Sequence, residues 1–126
     1  MVTVGKKKQR TSTHDGGGKN PKWNDKEMKF TVTSEDKYCK IEVFDEDPGN
    51  DEVIGQTTYP INTTTKGLIR LQQKLNYKNK PAGVLFLETQ FIPDKPKVPK
   101  VARPQGTFYV TPVKAKLKAE TSQAFC

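Results

Sequence analysis

The stretch V-F-D-E-D-P-G-N-D-E-V-I-G, Val43 to Gly55, constrains this chain more than any other. An apolar run meets five carboxylates, Asp45, Glu46, Asp47, Asp51 and Glu52, and a second apolar run follows. Pro48, Gly49 and Asn50 reverse the chain between them. Two strands joined by an acidic turn are therefore expected. Side chains at i and i+2 of a strand share a face, so Asp45 and Asp47 can converge on one ion. Carboxylate oxygens are what a hard cation such as calcium selects. A solvated acidic turn fits the same residues, and local sequence leaves both readings open.

Strand signals dominate the first 92 residues. Met28, Phe30 and Val32 alternate with Lys29 and Thr31, and Cys39, Ile41 and Val43 alternate with Lys40 and Glu42. That period of two marks half-buried strands. Val2 and Val4 flank Thr3, Lys6 to Lys8 read as a hairpin tip, and Arg10 to His14 as the return strand. His14-Asp15-Gly16-Gly17-Gly18 reads as a flexible loop and Asn20-Pro21 as a turn. Val53 to Ile61 is a further strand, closed by Pro60 and the Thr-rich Asn62 to Thr65. Leu68, Leu71 and Leu75 suit either a strand or a helix, and Val84 to Phe91 places Leu85, Leu87 and Phe91 on one face. Short strands between turn signals predict an all-β antiparallel sandwich.

Composition changes at Pro93. Pro93, Pro96, Pro99 and Pro104 punctuate a Lys-rich segment, so 93–105 reads as an extended linker. Residues 106–126 become strand-like again, with Val113, Ala115 and Leu117 alternating with lysines, although Ala, Leu and Lys also favour helix. The net charge of +8 divides unevenly. Residues 1–92 hold fifteen Lys/Arg against twelve acids, and 93–126 hold seven against two. A basic balance favours anionic partners, nucleic acid or a membrane surface. Two cysteines, Cys39 and Cys126, are too few for a secreted disulfide framework, which predicts a reducing, cytoplasmic setting. No apolar run approaches the roughly 18–20 residues of a membrane span. No signal-peptide core is visible, and a terminal Cys is not a prenylation box.

Gly5-Lys6-Lys7, Thr11-Ser12-Thr13, Gly18-Lys19-Asn20-Pro21-Lys22-Trp23-Asn24, Ile41 to Asp47 and Asp51 to Gly55 together resemble a C2 domain, in the order that family shows them. The resemblance covers residues 1–92. It implies a Greek-key β-sandwich that docks on phospholipid head groups, often through calcium. The N-terminal strands of the family's eight are missing, and so is its first calcium loop with the D-P-Y segment. Gly106 to Leu117 resembles the family's opening strand, in the pattern G-x-F-x-V-x-x-V-x-A-x-L. It belongs either to a following domain or, folded back, to this one.

The expected function is a phospholipid-membrane-binding module, peripheral to the membrane, with a protein-interaction module as the alternative. The resemblance places a lipid-binding patch on the basic hairpin, here Lys6, Lys7, Lys8 and Arg10 with Lys19. The candidate metal ligands are Asp45, Asp47, Asp51 and Glu52. They supply too few oxygens for a full calcium shell, so weak calcium binding or none is expected. G-G-G-K-N lacks the P-loop glycine and Ser/Thr, and D-E-D-P-G-N misses the EF-hand pattern. His14 has no nucleophile placed beside it, so no enzyme is expected. Nucleic-acid binding is set aside because Phe30, Tyr38, Phe44 and Phe91 lie at strand spacing beside apolar neighbours, as core residues do.

Overall fold

The computed structural model describes residues 1–33, 35–46, 51–62, 67–93, 106–118 and 121–126. Among them there is no helix. The strands are β1 (Val2–Val4), β2 (Lys7–Gln9), β3 (His14–Gly18), β4 (Met28–Val32), β5 (Tyr38–Asp45), β6 (Glu52–Pro60), β7 (Ile69–Tyr77), β8 (Lys80–Pro93), β9 (Gly106–Leu117) and β10 (Thr121–Phe125). Every pairing is antiparallel.

The strands form an all-β sandwich. One layer runs β2-β1-β5-β6 and the other β7-β8-β9-β4. A single registered pair, Gln56 with Asn76, links them where β6 meets β7. At the opposite ends of this order, β2 and β4 face each other without a backbone ladder. Side chains close that gap: Lys7 Nζ donates to the Thr31 carbonyl at 2.7 Å, and Gln9 Nε2 to the Lys29 carbonyl at 2.6 Å.

Alternation decides what is buried. Met28, Phe30 and Val32 of β4 point inward, as do Cys39, Ile41 and Val43 of β5 and Leu85, Leu87 and Phe91 of β8. They meet Val2, Val4, Phe108, Val110, Ala115 and Leu117 in one core. Burial of such side chains, at about 1.5–3 kcal/mol each, is the main term holding the two layers together.

The C-terminal segment belongs to this sandwich. β9 pairs along its length with β8, from Gly83↔Leu117 to Pro93↔Gly106. Its other edge pairs with β4 from Gly106 to Val110, then takes the chain around Pro21: Trp23 N donates to the Val113 carbonyl at 2.8 Å and Ala115 N to the Pro21 carbonyl at 3.0 Å. Val113 is a bulge, because Phe86 pairs with Lys114 while Leu87 pairs with Pro112. The extra residue shifts the phase of alternation. Phe108 and Val110 before it, and Ala115 and Leu117 after it, therefore all point inward. Gly83 has φ +146°, and a Cβ there would lie 2.2 Å from the Lys116 carbonyl oxygen, so only glycine lets β8 and β9 approach this closely.

β10 and β1 lie end to end along one edge of β5. Phe125 is opposite Phe44 and Val2 is opposite Ile41, which leaves room opposite Val43 and Glu42 for Cys126 and Met1. Glu42 N donates to the Met1 carbonyl at 2.9 Å, and the Met1 amine donates back to the Glu42 carbonyl. β3 flanks β10 as β2 flanks β1.

Local readings differ from the sequence expectation at the first hairpin and at His14 to Gly18, and the two segments whose sequence also suited helix resolve as strands. The turn of the first hairpin is Gly5-Lys6, with Gly5 at φ +61°, the position that a two-residue II′ turn reserves for glycine. The return strand is therefore Lys7–Gln9 rather than Arg10 to His14. Its side chains are all exposed, so it carries no apolar period to read. His14 to Gly18 is strand β3, not a loop, because β10 supplies its partner. Residues 69–77 are strand, with Leu75 buried and Leu68 exposed. The segment 106–117 is strand as well. The linker positions 94–105 and the Thr-rich 63–65 lie outside the described residues.

Candidate functional site

The acidic end of β5 and β6 is built by the ladder itself. Asp45 pairs directly with Glu52, which sets two carboxylates on the same face at opposite positions of adjacent strands. Like charges so placed repel. Part of this is relieved from β10, where Gln123 N donates to Asp45 Oδ1 at 3.3 Å. Glu46 is engaged elsewhere: Thr13 Oγ1 donates to its Oε2 at 2.5 Å, and Arg10 Nη2 lies 3.9 Å away. Asp51 is exposed, and Asp47, with Pro48 to Asn50, lies outside the described residues. Among the described residues no three His, Cys, Asp or Glu side chains come together to hold a metal. The described carboxylates alone therefore do not form a calcium cradle, since calcium takes six to eight oxygens.

The basic hairpin resolves into two kinds of cation. Lys6, Lys7 and Lys8 are exposed. Lys7 reaches the edge of β4, while none of the three meets a carboxylate among the described residues. Arg10 is committed. Its guanidinium lies 3.5 Å from the centroid of Phe125, bonds Thr13 Oγ1 at 2.9 Å and faces Glu46. Phe125 is itself stacked on Phe44, with centroids 5.0 Å apart and planes 8° apart. Lys19 is exposed, and its carbonyl accepts from Leu117 N at 2.7 Å.

A second basic surface, not predicted from the sequence, covers the outer face of the β7-β8-β9-β4 layer. Paired residues of an antiparallel ladder share a face. One rung reads Gln72, Phe86, Lys114 and Lys22; the next reads Lys74, Val84 and Lys116; farther along, Gln90, Tyr109 and Lys29 align. Lys114 and Lys116 lie 5.1 and 5.9 Å from the Phe86 ring, and Lys29 lies 5.8 Å from Tyr109. Among the described strand residues of this face one acid, Glu88, interrupts it, and it pairs with Arg70 at 3.9 Å. A shallow groove of about 430 Å³ runs beside Phe86, between Arg70 and Lys114. Lys7, bonded at the β4 edge, connects this face with the hairpin. The signal was present in the alternating lysines 114, 116 and 118. It could not be placed without knowing that β9 sits between β8 and β4.

The other singled-out residues are structural. His14 Nδ1 accepts from Lys22 N at 2.9 Å, which holds the turn before Trp23. Trp23 is buried, and its Nε1 donates to the Ala124 carbonyl at 3.1 Å. Cys39 and Cys126 are buried free thiols. No described helix is long and apolar enough to cross a membrane.

A model of the C2 domain family matches residues 1–77, from β1 through β7. No curated protein and no solved structure matches the chain.

Proposed function

The chain belongs to the C2 domain family, whose members are membrane- and protein-interaction modules, and we propose that it docks on anionic phospholipid through its lysines without needing calcium. One observation carries this reading. Lys29, Lys114 and Lys116 line one outer face without a carboxylate partner among the described residues, and Lys7 of the hairpin reaches the β4 edge of that face, while Lys8, on the rung with Thr3 and Lys40, faces out from the other layer.

Near an anionic surface each such residue contributes about 1 kcal/mol. A handful gives reversible recruitment rather than permanent anchoring, and salt weakens it by screening. Phe86, Tyr109 and Ile92 add half-buried or exposed apolar surface on the same face as Lys29, Lys114 and Lys116. The Asp45–Glu52 pair acts in the opposite sense, since carboxylates repel such a surface. The molecule is expected to dock with its lysines toward the lipid and its acidic rim away. Bound calcium would cancel charge at that rim and bridge to phosphate; among the described residues Asp45 and Glu52 are the carboxylates the ladder pairs there, and the lysine docking proposed here does not route through them.

Co-sedimentation with vesicles tests this, comparing anionic with neutral lipid, and calcium with chelator. The expected result is binding to anionic vesicles alone, equal in both buffers and lost at high salt. Strict calcium dependence would reassign the site to the acidic rim. Failure to bind either vesicle would favour a protein partner, and equal capture of single-stranded DNA would favour nucleic acid.

A further inference from the structure

We propose that Phe86 and Val84, on the outer face of the β7-β8-β9-β4 layer, form the floor of a seat for one lipid head group that carries clustered phosphomonoesters. The proposal rests on lipid docking for the source of its ligand, and its site lies apart from the hairpin lysines. The ladder registers place the cations. Lys22, Lys114, Phe86 and Gln72 stand side by side on one rung, and Lys116, Val84 and Lys74 on the next. Strands lie about 4.8 Å apart and successive rungs of one face about 7 Å apart, so four lysines share a patch of roughly 14 by 7 Å around an apolar floor. Lys114 and Lys116 lie 5.1 and 5.9 Å from the Phe86 centroid. None of the four has a carboxylate partner among the described residues. Glu88, on the rung beyond Phe86, is held by Arg70. Like charges this close repel, and an anion among them relieves the repulsion.

The β-bulge builds this patch. Tyr109 and Thr111 face outward before it, and strict alternation from there would present Val113, Ala115 and Leu117. The extra residue at Val113 turns Lys114 and Lys116 outward instead. The resulting density of charge selects the ligand. A phosphodiester head group brings one phosphate charge, and the next belongs to another lipid. A phosphomonoester brings a charge of about −1.5 to −2 and three acceptor oxygens. Two or more on one small ring put that charge within reach of several ammonium groups, each with three donors. The groove beside Phe86, about 430 Å³ in volume, falls within the roughly 300–1,000 Å³ of small-ligand clefts. Tyr109 and the exposed Ile92 share the face and add apolar surface, which suits a ligand borne by a bilayer rather than one free in solution.

The test uses the full chain and two kinds of probe. Inositol trisphosphate is titrated in solution and located by backbone amide shifts. Phosphatidylcholine vesicles carry either phosphatidylinositol bisphosphate or phosphatidylserine at equal total charge, and co-sedimentation measures binding. The soluble probe should shift the amides of Lys22, Phe86, Lys114 and Lys116 ahead of those of Lys6 to Lys8. The bisphosphate vesicles should bind at least about tenfold more tightly than the phosphatidylserine vesicles. Lys114→Gln with Lys116→Gln should abolish that preference, and Lys6→Gln with Lys8→Gln should keep it. Unchanged urea midpoints show that both pairs still fold. No shift around Phe86 at about 1 mM probe, the weak end of specific affinity, overturns the proposal. So does equal loss of the preference in both pairs, which would mean diffuse attraction. Equal binding of the two vesicles leaves lipid docking standing and overturns this site as a head-group seat; amide shifts around Phe86 alongside it would assign the patch to a free polyphosphate. If no anionic vesicle binds, lipid docking fails and the lipid source fails with it.

Discussion

The Arg10 guanidinium lies 3.5 Å from the centroid of the Phe125 ring, so a cation beside the basic hairpin is held by the last strand of the chain. The same group bonds Thr13 and faces Glu46. Arg10 is thereby set apart from the exposed lysines before it. Its expected contribution is to stability. A cation–π contact gives about 0.5–2 kcal/mol, and a half-exposed ion pair adds less than about 1. Arg10→Ala should lower unfolding stability by about 1–2 kcal/mol, read as a lower urea midpoint at constant slope. Lys8→Ala, on an exposed side chain, should stay within about 0.5 kcal/mol.

Vesicle binding should reverse that ranking. Lys6→Ala with Lys8→Ala removes two surface cations, worth about 2 kcal/mol against anionic lipid, or roughly 30-fold in affinity. Lys114→Ala with Lys116→Ala should weaken binding by a similar factor if the outer sheet face also meets the lipid. Co-sedimentation at fixed ionic strength measures both. Unchanged binding in the second pair would confine docking to the hairpin.

Trp23 tests how the tail is secured. Trp23→Phe keeps a buried ring but removes the Nε1 donor, leaving the Ala124 carbonyl without that bond. An orphaned buried acceptor costs about 1–3 kcal/mol. Hydrogen exchange should show protection falling first in β10 and β3, which share a ladder, with β5 and β6 less affected. A uniform loss across both layers would mean that the tail and the rest of the sandwich unfold as one unit.

These predictions rest on contacts that were unequally legible in sequence. Strands such as Met28–Val32 and Tyr38–Asp45 bury alternate side chains, so their period of two appears directly in the residues. Lys7–Gln9 buries nothing, and its strand character comes from pairing with β1 and from reaching the carbonyls of β4. His14–Gly18 is glycine-rich and becomes a strand only because Thr121–Phe125 lies beside it, more than a hundred positions away in the chain. Val113 hides the phase of the tail, since a reader following strict alternation finds Pro112 and Val113 competing for the inside. At the candidate site, sequence identified an acidic cluster and a basic hairpin. It grouped Asp45 with Asp47, Asp51 and Glu52; the described ladder sets Asp45 against Glu52, and Asp47 lies outside the described residues. Phe86 and Lys114 are twenty-eight positions apart, and only the β8–β9 register makes them neighbours.

The last prediction concerns the thiols. Burial pushes Cys39 up to about 12, with the charge of Cys126 adding to the effect. Burial likewise pushes Cys126 up to about 11, against an opposing pull from the Met1 amine. Both start from 9.0 in an open chain. The unfolded state therefore releases these protons first as pH rises, while the folded state retains them. Their contribution to stability is complete below about pH 9, and it is lost as pH climbs from there toward 11 for Cys126 and 12 for Cys39. Each thiol should steepen the loss by up to about 1.4 kcal/mol per pH unit within its window. Urea unfolding under reductant at several pH values between 8 and 11 measures the slope. The comparison is with Cys39→Ala, whose slope should be shallower by one thiol's share. A thiol reagent should label neither cysteine in the folded chain at neutral pH and both once urea unfolds it. Equal slopes in the two proteins, or rapid labelling before unfolding, would place Cys39 nearer to solvent than its packing between β1 and β6 requires.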